Sequence, residues 1–284
     1  MNLLKKIDIL FFIYLIISTL ALLLSWDTIA SPWHLFLNHA AIALLVLVLV
    51  YTDSKTDHII VYLLRTTYPL IVSGYFYSET VFYNKLLFDN IDPFLMSLET
   101  KVFGMQASLL FSAVFSNKLF SELMYFSYFS FYLLIAAFIL YMFFKKREYF
   151  LQVVFQLSVS LYMFYFIFML IPSAGPQFYF LSPDNKLPEA YVFSHVMHFI
   201  QNVAEQPTGA FPSSHVGGAF IILLLSRKFA PDFYKLSWPF VGLIVLSTVY
   251  IKAHYAIDVI GGFVIAPFIL SLSSYLFKFP IFRK

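Results

Sequence analysis

Long apolar segments alternate with short polar loops along this chain, and the pattern indicates membrane-spanning helices. A bilayer core about 30 Å thick is crossed by about 20 apolar residues in helical conformation. The segments that approach this length are residues 9–26, 32–51, 59–77, 121–144, 150–171, 211–226, 236–251 and 256–277. The strand-type alternation of a membrane barrel is not visible. The sequence therefore predicts an all-α, polytopic membrane helix bundle of about eight transmembrane helices.

We expect residues 1–284 to form a single integral membrane domain. Residues 9–77 would supply N-terminal helices, residues 78–120 an extracytoplasmic interfacial segment, and residues 121–277 the core helices. Residues 105–116 are apolar but too few to cross the bilayer. The first apolar run has 18 residues after Lys5 and Lys6, which favours an uncleaved helix over a signal peptide.

Composition agrees with this fold class and excludes several others. Hydrophobic residues make up 61% of the chain and charged residues 12%, and the mean hydropathy is +0.83. A soluble domain is about half apolar and about one quarter charged. The chain has no cysteine, so disulfides, thiolate metal sites and a cysteine nucleophile are excluded. A net charge of +3 is too small to indicate nucleic-acid binding.

The distribution of positive charge predicts the orientation in the membrane. Eight spans divide the loops and termini into two sides, one with 12 Lys and Arg residues and the other with 5, while Arg65 lies inside the third span. Cytoplasmic loops carry the excess of positive charge. Both termini should therefore be cytoplasmic, and the long loops 78–120 and 172–210 should be extracytoplasmic, in what we expect to be a bacterial inner membrane.

One polar segment opens the sixth predicted span. Pro212 suits a first helical turn because its missing N–H is not needed there. Ser213 and Ser214 follow it with hydroxyls and free backbone N–H groups, which make a helix start an anion site. His215 lies on the same turn. A serine-capped helix with an interfacial histidine is the structural alternative.

A second polar segment opens the eighth predicted span. His254 and Asp258 are four residues apart and share one helix face. A carboxylate held against one imidazole nitrogen fixes the tautomer and leaves the other nitrogen free to act. Asp258 lies in an otherwise uncharged span, where an unpaired carboxylate is costly. Gly261 and Gly262 would let a neighbouring helix approach closely.

A third polar segment ends the fifth predicted span. Residues 171–178 contain two prolines and Gly175, which stop the helix and form a turn just before Gln177. This segment could be no more than a helix terminator. The predicted topology nevertheless brings all three segments to the extracytoplasmic side, where two histidines and an aspartate meet an anion-binding helix start. That combination suits phosphoryl transfer without a metal or cofactor.

At these residues the chain resembles the type 2 phosphatidic acid phosphatase superfamily of membrane phosphoesterases and phosphotransferases. Pro212-Ser213-Ser214-His215 is similar to its P-S-G-H motif, and residues 247–258 are similar to S-R-x5-H-x3-D. The likeness is closer to the inositol phosphorylceramide synthase-like branch, through residues 210–215 and 254–258. Residues 92–104 and 171–180 also look like that branch.

The resemblance implies a role for each matched residue and a six-helix catalytic core. His254 would be the nucleophile that forms a phosphohistidine, Asp258 its orienting partner and His215 the general acid. Ser213 and Ser214 would form the phosphate-binding turn, with Gly175 and Gln177 where the first motif ends. The substrate would be a phospholipid or a sphingolipid.

The chain departs from the family at its arginines. Gln177 and Thr248 occupy the two positions where the family carries arginine. A bound phosphate still needs positive charge. Lys252 is the nearest cation in sequence to His254, so we expect it to contribute to phosphate binding.

Three functions remain open on the sequence alone. The leading interpretation is a metal-independent lipid phosphatase or phosphotransferase, with an inositol phosphorylceramide synthase-like headgroup transferase as its narrower form. A transporter or lipid-binding membrane protein is the second, although no repeat is visible and the polar groups gather near one face. A catalytically inactive scaffold is the third. The sequence decides neither the lipid, nor the acceptor, nor the oligomeric state.

Overall fold

The computed structural model of the chain describes residues 3–279, and the regular structure within that range is helical. The helices are α1 (Lys6–Leu24), α2 (Pro32–Asp53), α3 (Ile59–Ile71), α4 (Ser73–Glu79), α5 (Asp92–Phe103), α6 (Ala107–Val114), α7 (Lys118–Lys145), α8 (Arg147–Leu170), α9 (Pro176–Tyr179), α10 (Val192–Ala204), α11 (Ser214–Phe229), α12 (Pro231–Tyr250) and α13 (Ala256–Lys278). Short 3-10 turns cover Trp26–Thr28 and Thr80–Phe82.

The described helices confirm the all-α, polytopic architecture. Seven of them, with α3 and α4 taken together as Ile59–Phe82, are long and apolar enough to cross a membrane. The remaining predicted span, the sixth, corresponds to α11, which has 16 residues. At 1.5 Å per residue α11 is about 24 Å long, which is shorter than the bilayer core of about 30 Å. The two long loops contain the short helices α6 and α10, and α6 lies within the apolar residues 105–116 that are too few to cross the bilayer.

A buried ion-pair cluster ties the N-terminal helices together at one end of the bundle. Arg65 of α3 is 1% exposed and donates to both carboxylate oxygens of Asp8 in α1, at 2.9 Å and 2.5 Å. Its guanidinium also donates to the carbonyl of Val50 in α2 at 3.2 Å. A buried charge is tolerated when it is paired and hydrogen-bonded. This end carries the lysine-rich and arginine-rich loops.

The opposite end is covered by the short helices, and buried acids hold them there. Asp92 of α5 accepts from the backbone N–H groups of Ala174 and Gly175 at 2.6 Å and 2.8 Å. Glu99 of α5 accepts from the N–H of Ala256 at the start of α13, at 3.1 Å. These bonds join α5 to two of the three segments in which the sequence places candidate site residues.

Glycine allows α11 and α13 to approach closely beside the candidate site. A Cβ atom on Gly262 would lie 2.7 Å from the carbonyl oxygen of Ser213, and one on Gly217 would lie 2.2 Å from the Phe164 ring. Such distances are too short for any side chain larger than hydrogen. The prediction that the glycine pair of α13 permits close packing is confirmed, and the approach sets the starts of these two helices next to each other.

Candidate active site

His254 lies in the short segment between α12 and α13, and backbone groups fix its imidazole. Its N–H donates to the carbonyl of Thr248 at 3.1 Å, and its Nδ1 lies 2.8 Å from the carbonyl oxygen of Ala210. Since a carbonyl can only accept, Nδ1 carries the proton and Nε2 of the neutral ring holds a lone pair. Burial lowers the pKa of His254 to about 4, although the Ala210 carbonyl and the Glu205 carboxylate raise it.

His215 faces that lone pair from the first turn of α11. Its Nδ1 lies 3.4 Å from Nε2 of His254. The His215 ring packs against the rings of Tyr128 and Phe131, with centroids 4.6 Å and 4.7 Å away. The two predicted catalytic histidines, 39 residues apart in sequence, are therefore in contact and their reactive nitrogens face each other.

Asp258 is close to His254, but its best hydrogen bond is to the backbone. Its Oδ2 accepts from the N–H of Tyr255 at 2.7 Å and so caps the start of α13. The distance from Oδ2 to Nδ1 of His254 is 3.6 Å, too long for a strong hydrogen bond. Among the described residues Oδ1 has no hydrogen-bond partner. The Ala210 carbonyl thus accepts the hydrogen bond from Nδ1 that the sequence assigned to Asp258, and Asp258 lies beside the imidazole without a strong hydrogen bond to it.

Ser213 and Ser214 form the turn that starts α11. The Ser213 hydroxyl accepts from the N–H of Val216 at 3.3 Å and caps the helix. The Ser213 carbonyl accepts from the N–H of Gly217 at 2.9 Å. Within this described turn, the N–H groups of Ser214 and His215 are the donors that can serve an anion, together with the Ser214 hydroxyl.

Gly175 and Gln177 belong to a turn that packs directly against the segment carrying His254. Gly175 has φ +88°, and a Cβ atom there would lie 2.7 Å from the carbonyl oxygen of Ala253, so glycine is required. The N–H of Gln177 donates to the carbonyl of Lys252 at 2.8 Å. These two contacts align the turn with the histidine segment.

The Gln177 side chain contacts a buried acid, Glu205, which the sequence alone did not assign to the site. The Gln177 side-chain amide donates to Oε2 of Glu205 at 2.6 Å, and the hydroxyl of Tyr128 donates to Oε1 at 3.0 Å. Burial raises the pKa of Glu205, and these two hydrogen bonds oppose that shift. Where the family carries an arginine, this chain therefore has a glutamine paired with a carboxylate.

Lys252 does not turn its ammonium group to the histidines. Its Nζ donates to the carbonyl oxygens of Asp184 and Lys186 in the loop before α10. Burial lowers its pKa. The expectation that Lys252 supplies positive charge to a phosphate therefore conflicts with its contacts, which hold the loop instead. Its φ of 61° places its backbone in the left-handed region, outside the regular helical geometry that sequence spacing assumes.

A cavity of about 610 Å³ begins at His215 and extends between α3, α4, α7 and α8. Ser214, His215 and Glu205 line one end of it, and the rest of the wall is largely apolar, with Leu63, Leu70, Ile135, Ile139, Leu140 and Leu161 among its residues. Apolar cavities of this size with a few polar groups at one end are typical ligand sites.

The polar groups beside this cavity are suited to acid–base and nucleophilic chemistry. Within residues 3–279, no three His, Asp or Glu side chains are grouped closely enough to hold a metal ion. The site offers two imidazoles, two carboxylates and the N–H groups of a helix start. Those groups can attack, protonate and bind a phosphate ester.

The comparison with known families agrees with this geometry. The family model described as the PAP2 superfamily matches residues 93–272, which is more than half of the chain and includes His215, His254 and Asp258. The chain belongs to this superfamily. Helices α1 to α4 lie outside the matched range, although α3 and α4 form one wall of the cavity.

One curated relative is similar to part of the chain. It is a PA-phosphatase related-family protein of Dictyostelium discoideum, 31% identical over 117 residues, which is 39% of this chain and 21% of that protein. The chain thus aligns with about a fifth of the length of this relative. No solved structure matches the chain.

Two further site residues escaped the sequence reasoning for different reasons. Ala210 acts through its backbone carbonyl, so its side-chain type carries no signal. Asp92 holds the turn at Gly175 and also accepts from the hydroxyl of Tyr255 at 3.0 Å. Asp92 is the first residue of a segment that resembles the synthase-like branch. The sequence feature that could have identified both Asp92 and Glu205 is an acidic residue in a largely apolar chain.

Proposed function

We propose that this protein is a membrane enzyme that cleaves a lipid phosphate ester through a phosphohistidine. The observation that carries the proposal is the 3.4 Å contact between His254 Nε2 and His215 Nδ1, because His215 lines the polar end of the 610 Å³ cavity. Family membership supports chemistry on a phosphate ester. The apolar wall supports a lipid substrate, since acyl chains can occupy it while the phosphate meets the histidines.

The first half-reaction breaks the ester. The lone pair on His254 Nε2 attacks phosphorus once the bound phosphate has separated this atom from His215, because 3.4 Å between the two nitrogens leaves no room for the phosphate. The bond from phosphorus to the ester oxygen breaks, and that oxygen takes the proton carried by His215. The phosphorylated imidazolium keeps its Nδ1 proton, which the Ala210 carbonyl accepts at 2.8 Å. The negative charge of Asp258, 3.6 Å from Nδ1, favours this cation.

The second half-reaction returns the enzyme to its starting state. A hydroxyl attacks phosphorus, His215 takes its proton, and the electrons of the phosphorus–nitrogen bond return to Nε2. Water as the attacking group makes the enzyme a lipid phosphatase, and a lipid or headgroup alcohol makes it a phosphotransferase. Likeness in residues 210–215 and 254–258 favours transfer of the inositol phosphorylceramide synthase kind. Neither half-reaction as written requires a metal.

The site would act on the extracytoplasmic leaflet of a bacterial inner membrane. The start of α11 and the start of α13 lie at the end of the bundle opposite the Arg65 cluster. The loop between α7 and α8, which carries Lys145, Lys146 and Arg147, lies at the Arg65 end as well. The positive-inside rule makes that end cytoplasmic. Both termini would then be cytoplasmic, and residues 1–284 would act as one integral membrane domain.

An assay of the purified protein in detergent or vesicles tests the proposal. A panel of lipid phosphates and phosphodiesters would be offered with and without ceramide-type or inositol-type acceptors, and a radiolabelled phosphoryl donor would reveal an acid-labile phosphoenzyme. We expect free phosphate or a new phospholipid from the wild-type protein and neither from His254→Ala. Activity near the wild-type level in His254→Ala would refute the mechanism. Substrate binding without any product would favour a transporter or lipid-binding protein.

A further inference from the structure

Glu205 is a buried titratable group beside the histidines that the reaction above does not use. It follows α10 directly, is 7% exposed, and lines the cavity together with Ser214 and His215. Both of its carboxylate oxygens accept hydrogen bonds, from Tyr128 at 3.0 Å and from Gln177 at 2.6 Å. The side chain is therefore held in place, with its charge next to the position where a phosphate would bind.

No described Lys or Arg side chain balances this carboxylate at the site. Among residues 3–279, the buried Lys and Arg side chains are Arg65 and Lys252. Arg65 pairs with Asp8 at the far end of the bundle, and Lys252 donates to two loop carbonyls. The described residues that line the cavity include neither Lys nor Arg. A phosphate at His254 would meet helix N–H groups, the His215 imidazole and the Glu205 carboxylate, with no Lys or Arg among the described residues beside it.

The charge on the phosphate decides how strongly this carboxylate opposes binding. A phosphomonoester carries between one and two negative charges at neutral pH, because its second pKa is about 6. A phosphodiester carries one. Like charges repel strongly where water is excluded, whereas a carboxylate binds hydroxyl and ammonium donors well. A phosphodiester whose headgroup carries such a donor can form a hydrogen bond with the carboxylate, and this bond offsets the repulsion between the two negative charges.

We propose that Glu205 is a specificity-determining residue that selects lipid phosphodiesters bearing a hydroxyl or ammonium donor next to the phosphate and disfavours phosphomonoesters. The proposal rests on the proposed function and names the substrate class for that same site. In the first half-reaction the hydroxyl or ammonium group that contacts Glu205 belongs to the headgroup of the ester that is cleaved. The carboxylate holds that headgroup and takes no part in bond breaking.

Glu205→Gln removes the charge while keeping the shape of the side chain. The new amide can donate to the Tyr128 hydroxyl oxygen while its carbonyl accepts from Gln177, so the existing partners remain satisfied. Glu189→Gln makes the same change at an exposed position and serves as the matched control. Ratios of kcat/KM between substrates do not depend on the fraction of protein that is folded, so they remain informative if the variant is less stable.

The experiment measures kcat/KM of wild type, Glu205→Gln and Glu189→Gln on four lipids with identical acyl chains. Phosphatidic acid is the monoester, phosphatidylmethanol is a diester without a donor, phosphatidylglycerol supplies hydroxyls and phosphatidylethanolamine supplies an ammonium. We expect wild type to prefer one or both of the last two over phosphatidylmethanol and to use phosphatidic acid least. Glu205→Gln should reduce the preference for donor diester over monoester by roughly 10- to 100-fold, and Glu189→Gln should leave it unchanged.

The two donor lipids distinguish a hydroxyl contact from an ammonium contact. A Glu205→Gln variant that loses activity by the same factor on all four lipids would overturn the specificity role. Wild-type preference for phosphatidic acid would overturn it as well. Failure of the proposed function is a separate outcome, because it is shown by wild-type protein that converts none of the four lipids or by conversion that persists in His254→Ala.

Discussion

The Nδ1 atom of His254 lies 2.8 Å from the carbonyl oxygen of Ala210, so a backbone group holds the imidazole tautomer. In catalytic triads an aspartate has this task, and replacing it by asparagine reduces kcat by about 10⁴ because the amide favours the wrong tautomer. A carbonyl cannot donate and therefore cannot favour the wrong tautomer. The nucleophile of this chain should depend less on its neighbouring acid than the triad precedent suggests.

Asp258→Asn should therefore lower kcat by only roughly 10- to 100-fold, against a loss of more than about 10³-fold for His254→Ala. The remaining effect is the loss of negative charge near the phosphorylated imidazolium. The asparagine oxygen can still accept from the N–H of Tyr255, so the start of α13 keeps its cap. Steady-state rates on one substrate, with circular dichroism as the folding control, check the prediction. Equal losses in the two variants would contradict it.

The acid limb of the pH profile should lie well below the ordinary histidine range. Burial lowers the pKa of His254 to about 4, compared with about 6.5 for a free imidazole. The attacking ring must be neutral, so kcat/KM should stay high down to about pH 5 and fall as the pH drops through about 4. A phosphodiester should be the substrate, because it does not titrate in this interval. A limb near pH 6.5 would show that His254 is not buried as described.

The fold could be predicted largely from residue patterns, because hydropathy over about 20 residues reports directly on a bilayer. The boundaries of α7, α8 and α13 lie within three residues of the predicted spans. The break between α3 and α4 at Val72 was missed, since no glycine or proline marks that residue itself. The predicted span 211–226 has 16 residues, and α11 also has 16 residues.

The site could be predicted where the residue type itself indicates the chemistry, as for the two histidines. It could not be predicted where the role depends on the direction of a side chain or on a backbone group. His215 and His254 were expected to meet, because the two spans that they open start at the same side of the membrane and run in the same direction. The sequence gives no direction for a side chain in a loop, so Lys252 was expected near the phosphate and instead contacts Asp184. Backbone partners such as Ala210 are invisible to reasoning from side-chain chemistry.

Gly74 should control the length of chain that the cavity accepts. It lies in α4 on the cavity wall, and a Cβ atom there would meet no atom within 4 Å. Gly74→Leu should therefore fill apolar space without strain and reduce kcat/KM for long-chain lipids by roughly tenfold, while sparing a water-soluble aryl phosphate. Assays on a chain-length series check this.

The matched control for that variant is Gly242→Leu. Gly242 lies in α12, is exposed, and also has open space around its Cβ position. It does not line the cavity, so its variant should keep the wild-type chain-length profile. Identical profiles for Gly74→Leu and wild type would show that the acyl chain does not occupy this cavity.

His215→Ala should lose most activity on substrates with poor leaving groups. A general acid matters when the departing oxygen is strongly basic, and contributes typically 10²- to 10⁴-fold. The phenolate of an aryl phosphate leaves without protonation. The loss of activity of His215→Ala on an aryl phosphate should therefore be at least about tenfold smaller than its loss on an alkyl ester. Parallel rates on aryl and alkyl phosphates test the point. The same loss on both would assign His215 to substrate binding rather than to proton transfer.

Lys252→Met tests whether the positive charge nearest to His254 in sequence serves the phosphate or the fold. The ammonium donates to the carbonyls of Asp184 and Lys186, and a hydrogen bond from a charged group contributes about 1.5–3 kcal/mol. The variant should therefore melt several degrees lower in detergent, while KM changes by less than about threefold. Lys186→Met removes the same charge from an exposed neighbour and should leave the melting temperature unchanged. A KM raised tenfold at an unchanged melting temperature would instead place Lys252 on the substrate.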